Sequence, residues 1–300
     1  MDVKTLRCGK NERRDTRGGV SLRWLLILLL IPAGMTAQTF TDDVGRQVEI
    51  STPAGNIVCL SPAHTEMFFD MGLEGHLAAV SAHCDYPAAA KKMKKAGTFM
   101  SPDVEMITYL KPSVVISGGG VQKKAIAKLE ELGVAVIVLY PRNHEDIKNN
   151  MKKISRICGA DEKGAKAAAR FEKKMKKALV TRGKKRKVYM EIWNSPLMTA
   201  GGSSFLGQAV ETAGGGNLFA DSASEYPKVS PEEVIKRNPE VVVLLYSPED
   251  DYAQRVYIKN TISGKNGNVF IYHDADILLR PGPRYAEGVG QLSKIIGNAK

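Results

Sequence analysis

The stretch Ser101-Pro-Asp-Val-Glu-Met-Ile-Thr-Tyr-Leu-Lys-Pro-Ser-Val-Val-Ile116 decides the fold of this chain, because a similar stretch follows later: Ser230-Pro-Glu-Glu-Val-Ile-Lys-Arg-Asn-Pro-Glu-Val-Val-Val243. In both, Ser-Pro is typical of a helix N-terminus, since serine caps the helix and proline lacks an N–H that would be unpaired there. A second proline ends the helix, and the β-branched run after it predicts a buried strand. The repeat indicates two related lobes.

The two stretches also place an acidic residue at the same register. Glu105 lies seven residues before Pro112, and Glu232 lies seven residues before Pro239. An acidic side chain in the first turn of a helix interacts favourably with the helix dipole. From the residues alone, this local electrostatic role is the preferred interpretation, and the repeat by itself implies no function.

Around these stretches, short apolar runs alternate with helical segments, which predicts an α/β fold rather than an all-β fold. An N-terminal α/β lobe is predicted over residues 38–143 and a C-terminal α/β lobe over residues 183–300. The segment 144–182 is rich in Ala, Lys and Glu and is predicted to be the connecting helix. It is predicted to be helical over 144–157 and, after a break at Gly159, over 162–180. Strands are predicted at 57–60, 77–81, 114–117, 134–140, 187–193, 241–245 and 269–272, and further helices at 65–71, 102–110, 122–132, 207–212, 231–237 and 284–296.

The N-terminal residues 1–37 are predicted to be a cleavable signal peptide. An apolar run from Trp24 to Met35 follows several arginines and ends in small residues, with cleavage expected after Ala37. The run is shorter than the ~20 residues that span a bilayer, although an uncleaved anchor remains the alternative. Since no Cys stands at its end for a lipid anchor, we expect a soluble periplasmic protein.

Removal of residues 1–37 takes away seven basic and three acidic residues and lowers the formal net charge from +11 to +7. The remaining basic runs at 91–95, 173–177 and 182–187 lack the interleaved aromatic residues on which nucleic acid bases stack. We interpret these runs as solvated helix faces and loops. Nucleic acid is therefore not an expected partner.

Three cysteines follow the signal peptide: Cys59, Cys84 and Cys158. An odd number in an oxidising compartment leaves at least one thiol unpaired. Cys59 lies in an apolar strand and Cys158 at a helix end, so buried or partly buried free thiols are expected. No pair of them has metal-binding spacing.

Four segments carry a resemblance to a known family: Ile57-Val-Cys-Leu-Ser-Pro-Ala-His-Thr-Glu66, Ser81-Ala-His-Cys-Asp-Tyr-Pro87, Gly97-Thr-Phe-Met-Ser-Pro-Asp-Val-Glu105 and Arg280-Pro-Gly-Pro-Arg284. In this order they resemble the periplasmic binding proteins for cobalamin, haem and iron-siderophores, nearest the cobalamin-binding branch. The resemblance implies two α/β lobes joined by a single long helix. It also implies a binding protein and not an enzyme. This protein would deliver a corrinoid, or alternatively haem or a ferric siderophore, to the permease of an ABC importer. We expect a monomer.

The resemblance also implies roles for particular residues. Glu105 and Glu232 fall on the positions that dock against arginines of the permease. The positions implied to bind the ligand are His83, Cys84, Phe99, Trp193, Tyr226 and Asp276. The chain departs from the cobalamin pattern, because His83 replaces a tyrosine while Phe99 and Tyr226 replace tryptophans. An imidazole at position 83 could be an axial ligand of the bound metal or a hydrogen-bonding wall residue.

Two other classes of function remain open from the residues. A carrier of a bare metal ion would need three or four convergent ligands, for which His273 and Asp274 with His83 are candidates. An exported metal-dependent hydrolase is the enzyme alternative. However, the sequence contains no Gly-x-x-x-x-Gly-Lys, Gly-x-Ser-x-Gly or His-Glu-x-x-His pattern, so neither a phosphate-binding loop nor a common hydrolase site is indicated.

Overall fold

A computed structural model describes residues 36–179, 185–245 and 255–300. The predicted signal peptide lies outside the described residues, apart from Thr36 and Ala37, which begin the first strand. Within the part of the chain that is described, none of the helices combines the length and the apolar character that crossing a membrane requires.

The first lobe is built on a parallel sheet of four strands, in the order β4-β3-β5-β6. Strand β5 is buried along its whole length, as a run of Val and Ile covered on both faces should be. A separate antiparallel hairpin, β1-β2, precedes this sheet. The elements are β1 (Thr36–Thr41), β2 (Gln47–Thr52), β3 (Ile57–Cys59), α1 (Pro62–Met71), β4 (Leu77–Val80), α2 (Ala88–Lys91), α3 (Val104–Tyr109), β5 (Val114–Ser117), α4 (Lys123–Glu131) and β6 (Val136–Val138).

The second lobe has a sheet of the order β11-β10-β7-β8, with β9 also paired to β7. Its strands β7, β10 and β11 are parallel, whereas β8 runs antiparallel to β7. The elements are β7 (Lys187–Asn194), β8 (Leu197–Thr199), α7 (Phe205–Thr212), β9 (Gly216–Asn217), α8 (Pro231–Arg237), β10 (Val241–Leu244), α9 (Ile262–Asn266), β11 (Val269–Ile271), α10 (Asp276–Leu279) and α11 (Tyr285–Asn298).

The segment predicted as the connecting helix forms two helices, α5 (His144–Ile157) and α6 (Asp161–Ala178), separated by the predicted break. The chain turns between them at Gly159, whose φ of 66° lies in the left-handed region. Helix α6 contacts both lobes, because Lys163 donates to the Gly72 carbonyl at 2.7 Å and Lys174 forms an ion pair with Glu287 at 3.0 Å. The predicted connector therefore corresponds to α6 alone, and the last residues of the predicted segment lie outside the described residues.

A single cluster of buried apolar side chains runs from the first lobe through α6 into the second. It includes Ile57 of β3, Phe171 of α6 and Val188 of β7. Two smaller clusters lie on the other faces of the sheets. The lobes are therefore packed against one shared helix, which confirms the predicted fold class of two α/β lobes with a helical connector.

The repeated stretches adopt the predicted helix, turn and strand in both lobes. Helix α8 begins at Pro231 with Ser230 as its N-cap, as expected. In the first lobe the predicted start is wrong: α3 begins two residues after Pro102, because the Asp103 carboxylate accepts the Met106 N–H at 2.9 Å and caps the helix there. Pro102 instead pairs with Gly97 in an isolated bridge.

Candidate functional site

A cleft of about 480 Å³ lies between the two lobes. Its first-lobe wall comes largely from the segments that follow the carboxyl ends of parallel strands, which is where open α/β sheets bind ligands. The volume is in the range typical of small-molecule sites. Lining residues from the first lobe include Ser61, His64, His83, Phe99, Gly118 and Tyr140, and those from the second are Phe205, Leu206, Tyr226, Leu279, Arg280 and Pro281.

Three of the predicted ligand-binding residues, His83, Phe99 and Tyr226, line this cleft. They come from both lobes, so a ligand bound between them would contact each lobe through an aromatic or imidazole ring. Burial raises the pKa of Tyr226 to about 12, with further contributions from Tyr140 and Glu225. Burial also raises the pKa of Tyr140, so the hydroxyls of Tyr140 and Tyr226 stay protonated at neutral pH and can donate hydrogen bonds.

The His83 ring is held by the Phe99 backbone, whose N–H donates to Nδ1 at 3.1 Å. A neutral imidazole that accepts at Nδ1 carries its proton on Nε2. Coordination of a metal by Nε2 requires that proton to be absent. In that tautomer Nε2 is a hydrogen-bond donor, which corresponds to the wall-residue alternative for His83.

Gln122 holds the loop that carries Phe99. It is a buried residue that was not among the predicted site residues. Its Nε2 donates to the carbonyl oxygens of Phe99 at 2.9 Å and of Leu60 at 3.2 Å. Gly118 lies beside the Phe99 ring, and a β-carbon there would come 3.3 Å from the ring. The absence of a side chain at Gly118 thus allows the Phe99 ring to pack closely against the backbone.

The other three predicted ligand-binding residues are placed elsewhere and are absent from the described lining of the cleft. Cys84 is buried, and its Sγ accepts the Thr65 hydroxyl at 3.2 Å. Trp193 is 42% exposed, and its indole N–H donates to the Ser195 carbonyl at 2.9 Å. Asp276 is next to the cleft and forms an ion pair with the lining residue Arg280 at 2.7 Å.

A cluster of charged side chains joins the lobes beside the cleft. Glu66 of the first lobe has a side chain only 2% exposed, and it accepts two hydrogen bonds from Arg284 of the second lobe, at 2.7 and 2.9 Å. Arg280 contacts Asp85 at 2.5 Å and Glu66 at 3.4 Å. The hydrogen bond from Arg280 lowers the pKa of Asp85. Since a buried carboxylate needs such partners, these ion pairs fix the relative position of the lobes.

His64, in the first turn of α1, also lines the cleft but is only 1% exposed. Neither ring nitrogen has a hydrogen-bond partner among the described residues. Burial lowers the pKa of His64 to about 4, so the ring is neutral at pH 7. A buried imidazole with both nitrogens unpaired is uncommon, and here both nitrogens are closed off from the cleft.

A family model described as periplasmic binding protein matches residues 57–274. The chain belongs to the periplasmic binding protein family. Members of this family and the relatives below are substrate-binding transport proteins, which confirms the expected class and places the chain outside the enzymes. The family also implies a periplasmic location.

Among relatives of known name, the vitamin B12-binding protein of Vibrio parahaemolyticus serotype O3:K6 is 31% identical over 251 residues, 83% of this chain and 91% of the relative. The crystal structure of the periplasmic vitamin B12 binding protein BtuF of Vibrio cholerae is similar with a TM-score of 0.72 and 26% identity, over 82% of this chain and 98% of that one. The heme-binding protein RhuT of Roseiflexus sp. RS-1 has a TM-score of 0.73 at 22% identity, over 82% and 99% of the chains, and shows the shared fold alone.

In this periplasmic binding protein, the two carboxylates predicted for docking occupy equivalent places. Glu105 and Glu232 are both exposed, and each is the second residue of its helix, α3 or α8. Backbone and Ser230 hydrogen bonds at the helix start lower the pKa of Glu232, so it is ionised at neutral pH. Each lobe thus presents one of these two carboxyl groups at the start of a helix.

For the metal-ion alternative, the described residues provide no group of three or more His, Cys, Asp or Glu side chains that could hold a metal ion. His83 faces Phe99, while Asp274 lies 3.9 Å from Arg284. The structure does not bring the three proposed ligands of such a site together in the part of the chain described. The three cysteines are buried free thiols, as expected.

Proposed function

We propose that this chain captures cobalamin or a related corrinoid and delivers it to the permease of an ABC importer. The observation that carries the proposal is the 31% identity, over 83% of the chain, to a vitamin B12-binding protein. The cleft supports it, because Phe99, Tyr226 and Phe205 provide the aromatic surface that a large flat macrocycle needs.

The test is titration of the purified residues 38–300 with cyanocobalamin, hemin and a ferric hydroxamate, followed by visible absorption and calorimetry. We expect cyanocobalamin to bind with 1:1 stoichiometry and a Kd below about 1 µM. Binding of hemin or the ferric chelate in its place would establish the alternative ligand. Failure of all three to bind would overturn the proposed capture of a metal-containing macrocycle or chelate.

We also propose that Glu105 and Glu232 dock against basic residues of the permease. Exposed charges of this kind contribute to orientation and association rate more than to affinity, which suits a partner that must bind, transfer its ligand and dissociate. Their equivalent positions on α3 and α8 suit a permease with two related docking sites.

We further propose that residues 1–37 are a signal peptide and that the mature protein is a monomer. N-terminal sequencing of the protein recovered from the periplasm should begin at Gln38. Sedimentation should give the mass of one chain. A protein that retains residues 1–37 would overturn the proposed signal peptide. The mass of two chains would overturn the proposed monomer.

A further inference from the structure

Phe99 and Met100, which both line the cleft, form the two-residue tip of a tight loop. The loop is closed on either side of the tip. The Thr98 N–H donates to the Ser101 carbonyl at 2.9 Å, and the Ser101 N–H donates to the Thr98 hydroxyl at 2.9 Å. In a two-residue loop the residues at the tip lie outside the pairing of the flanking chain. The direction of the Phe99 ring therefore depends on what holds the tip from outside the loop.

Both polar backbone groups of Phe99 are bound by side chains from other segments. Its N–H donates to His83 Nδ1 at 3.1 Å, and its carbonyl accepts from Gln122 Nε2 at 2.9 Å. His83 lines the cleft itself, whereas Gln122 is only 1% exposed and is absent from the described lining. Gln122 can therefore affect a ligand only through the groups that it holds.

The carboxamide of Gln122 is fully used in this arrangement. Its Nε2 donates to the carbonyls of Phe99 and Leu60, while its Oε1 accepts from the Ser117 hydroxyl at 2.5 Å and from the Gly118 N–H at 3.2 Å. Two carbonyls can only accept and a backbone N–H can only donate, so the amide fits in one orientation. Each of its two N–H groups and its oxygen has a partner.

The partners of Gln122 belong to the segments that form the first-lobe wall of the cleft. Leu60 follows β3 and directly precedes the lining residue Ser61, while Gly118 follows β5 and lies beside the Phe99 ring. One buried side chain thus connects the ends of two neighbouring strands to the loop that carries the ring. A wall that is ordered before the ligand enters loses less conformational entropy on binding.

We propose that Gln122 is a positioning residue for the ligand: together with His83 it holds the Phe99 loop, so that the aromatic wall is in place before the ligand binds. The inference rests on the proposed function and deepens it, because it names a residue outside the cleft on which the affinity depends. Removing Gln122 should weaken binding through the loss of order at Phe99, and not through the loss of a contact with the ligand.

The first test is Gln122→Met, which keeps the length of the side chain and removes all its hydrogen bonds. We expect the Kd for cyanocobalamin, measured by calorimetry, to rise ~10-fold. Circular dichroism checks that the fold is retained. Gln122→Glu keeps an acceptor for Ser117 and Gly118 and is the milder variant, and it should still raise the Kd at least about threefold. A Kd within twofold of wild type in a folded variant would overturn the proposal.

The matched control is Asn268→Leu in the second lobe. Asn268 is also a buried amide that joins backbone groups: it donates to the carbonyls of Glu240 and Lys300, at 3.1 and 2.9 Å, and accepts the Lys300 N–H at 2.9 Å. Both variants should lower the Tm by several degrees. Only Gln122→Met should weaken the ligand. An equal loss of affinity in the control would show that reduced stability is the cause, which would overturn the positioning role.

A double-mutant cycle with Phe99→Ala tests whether Gln122 acts through the ring. Phe99→Ala alone should raise the Kd for cyanocobalamin ~10-fold or more, because the ring contact is lost. Adding Gln122→Met to it should change the Kd less than twofold, since no ring is left to position. Additive effects of the two changes would mean that Gln122 acts through another group and would overturn the proposal.

Amide hydrogen exchange tests the same inference without a ligand. In the free protein, the Phe99 N–H should exchange at least about fivefold faster in Gln122→Met than in wild type, while the Val242 N–H in β10 keeps its wild-type rate. NMR provides the measurement. An unchanged rate at Phe99 would overturn the proposal. Failure of wild type to bind cyanocobalamin would overturn the proposed function, and hydrogen exchange would then still decide whether Gln122 holds the loop.

Discussion

The helix–turn–strand units of the two lobes, residues 103–117 and 230–244, have the same order of elements. Different side chains stabilise the turn in each unit. Lys111 and Asn238 both have left-handed φ values, 47° and 50°, directly before a proline. In the first lobe, Asn56 donates from outside the unit to the carbonyls of Leu110 and Lys111, at 2.8 and 3.0 Å. In the second, Asn238 itself reaches out and accepts the Ile262 N–H at 2.8 Å.

The two units therefore share the left-handed residue before the proline but differ in the side chain that stabilises the turn. The left-handed residue before the proline recurs because the chain must reverse from helix to strand within two residues. Asparagine tolerates this conformation, whereas lysine is strained in it. The polar side chain that holds the turn can therefore belong to the turn or to a neighbouring segment, and the variants below separate these contributions.

The largest effect is expected on uptake of the ligand, from changes to the acidic residue that both units carry at the same position. Charge reversal at both docking positions, Glu105→Arg with Glu232→Arg, should abolish uptake of the ligand by cells that depend on this protein, while its Kd for the ligand changes less than twofold. The matched control reverses Glu131 and Glu162, two exposed carboxylates on α4 and α6. Normal uptake by the first double variant would remove the docking assignment.

Asn56→Ala should give the next largest effect, because it deprives two carbonyls of their partner at once. We expect the free energy of unfolding to fall by about 1–3 kcal/mol, measured by urea denaturation. Asn56→Asp keeps the size of the side chain, but its carboxylate cannot donate a hydrogen bond. It should therefore lower the free energy of unfolding by a similar amount. A change below ~0.5 kcal/mol in both variants would show that the turn of the first lobe does not depend on Asn56.

Asn238→Lys makes the second unit resemble the first without its external support. The variant places a strained residue in the left-handed conformation and removes the acceptor for the Ile262 N–H, so we expect a loss of about 1–2 kcal/mol in the free energy of unfolding. Urea denaturation again provides the measurement. Wild-type stability would mean that the turn is held by the flanking helix and strand alone.

The smallest effect is expected for Lys111→Asn, which gives the first unit the residue found in the second. Since asparagine adopts the left-handed conformation more readily, the free energy of unfolding should rise by about 0.5–1 kcal/mol. Thermal melts of the variant and of the wild type are the measurement. A decrease would indicate that the lysine side chain makes contributions beyond its backbone conformation.

Much of the fold could be predicted from the sequence, because buried parallel strands are uninterrupted apolar runs and the helices have clear starts and ends. Helices α5 and α8 have the predicted bounds, whereas α3 begins later than predicted because Asp103 competes with Ser101 as the cap. The β1-β2 hairpin was missed, since its strands are mostly polar and few of their side chains are buried. Short helices of four or five residues have too little periodicity to be recognised.

The site was less accessible to sequence reasoning. His83, Phe99 and Tyr226 came from the family resemblance, and the structure brings them into one cleft. The pairing of Glu66 with Arg284 joins residues 218 positions apart, and nothing local in the sequence identifies such partners. Both lie in segments that carried the resemblance, so the signal was present, but only their place beside the cleft reveals the ion pair.

The apolar cluster that continues from the first sheet through α6 to the second has a thermodynamic consequence. Because the buried face of α6 belongs to both lobes, neither lobe can unfold without exposing apolar surface of the other. Unfolding should then be cooperative across residues 38–300, with one heat-capacity peak and equal calorimetric and van't Hoff enthalpies. The same sharing places a limit on lobe opening, since only motions that keep α6 covered avoid that exposure.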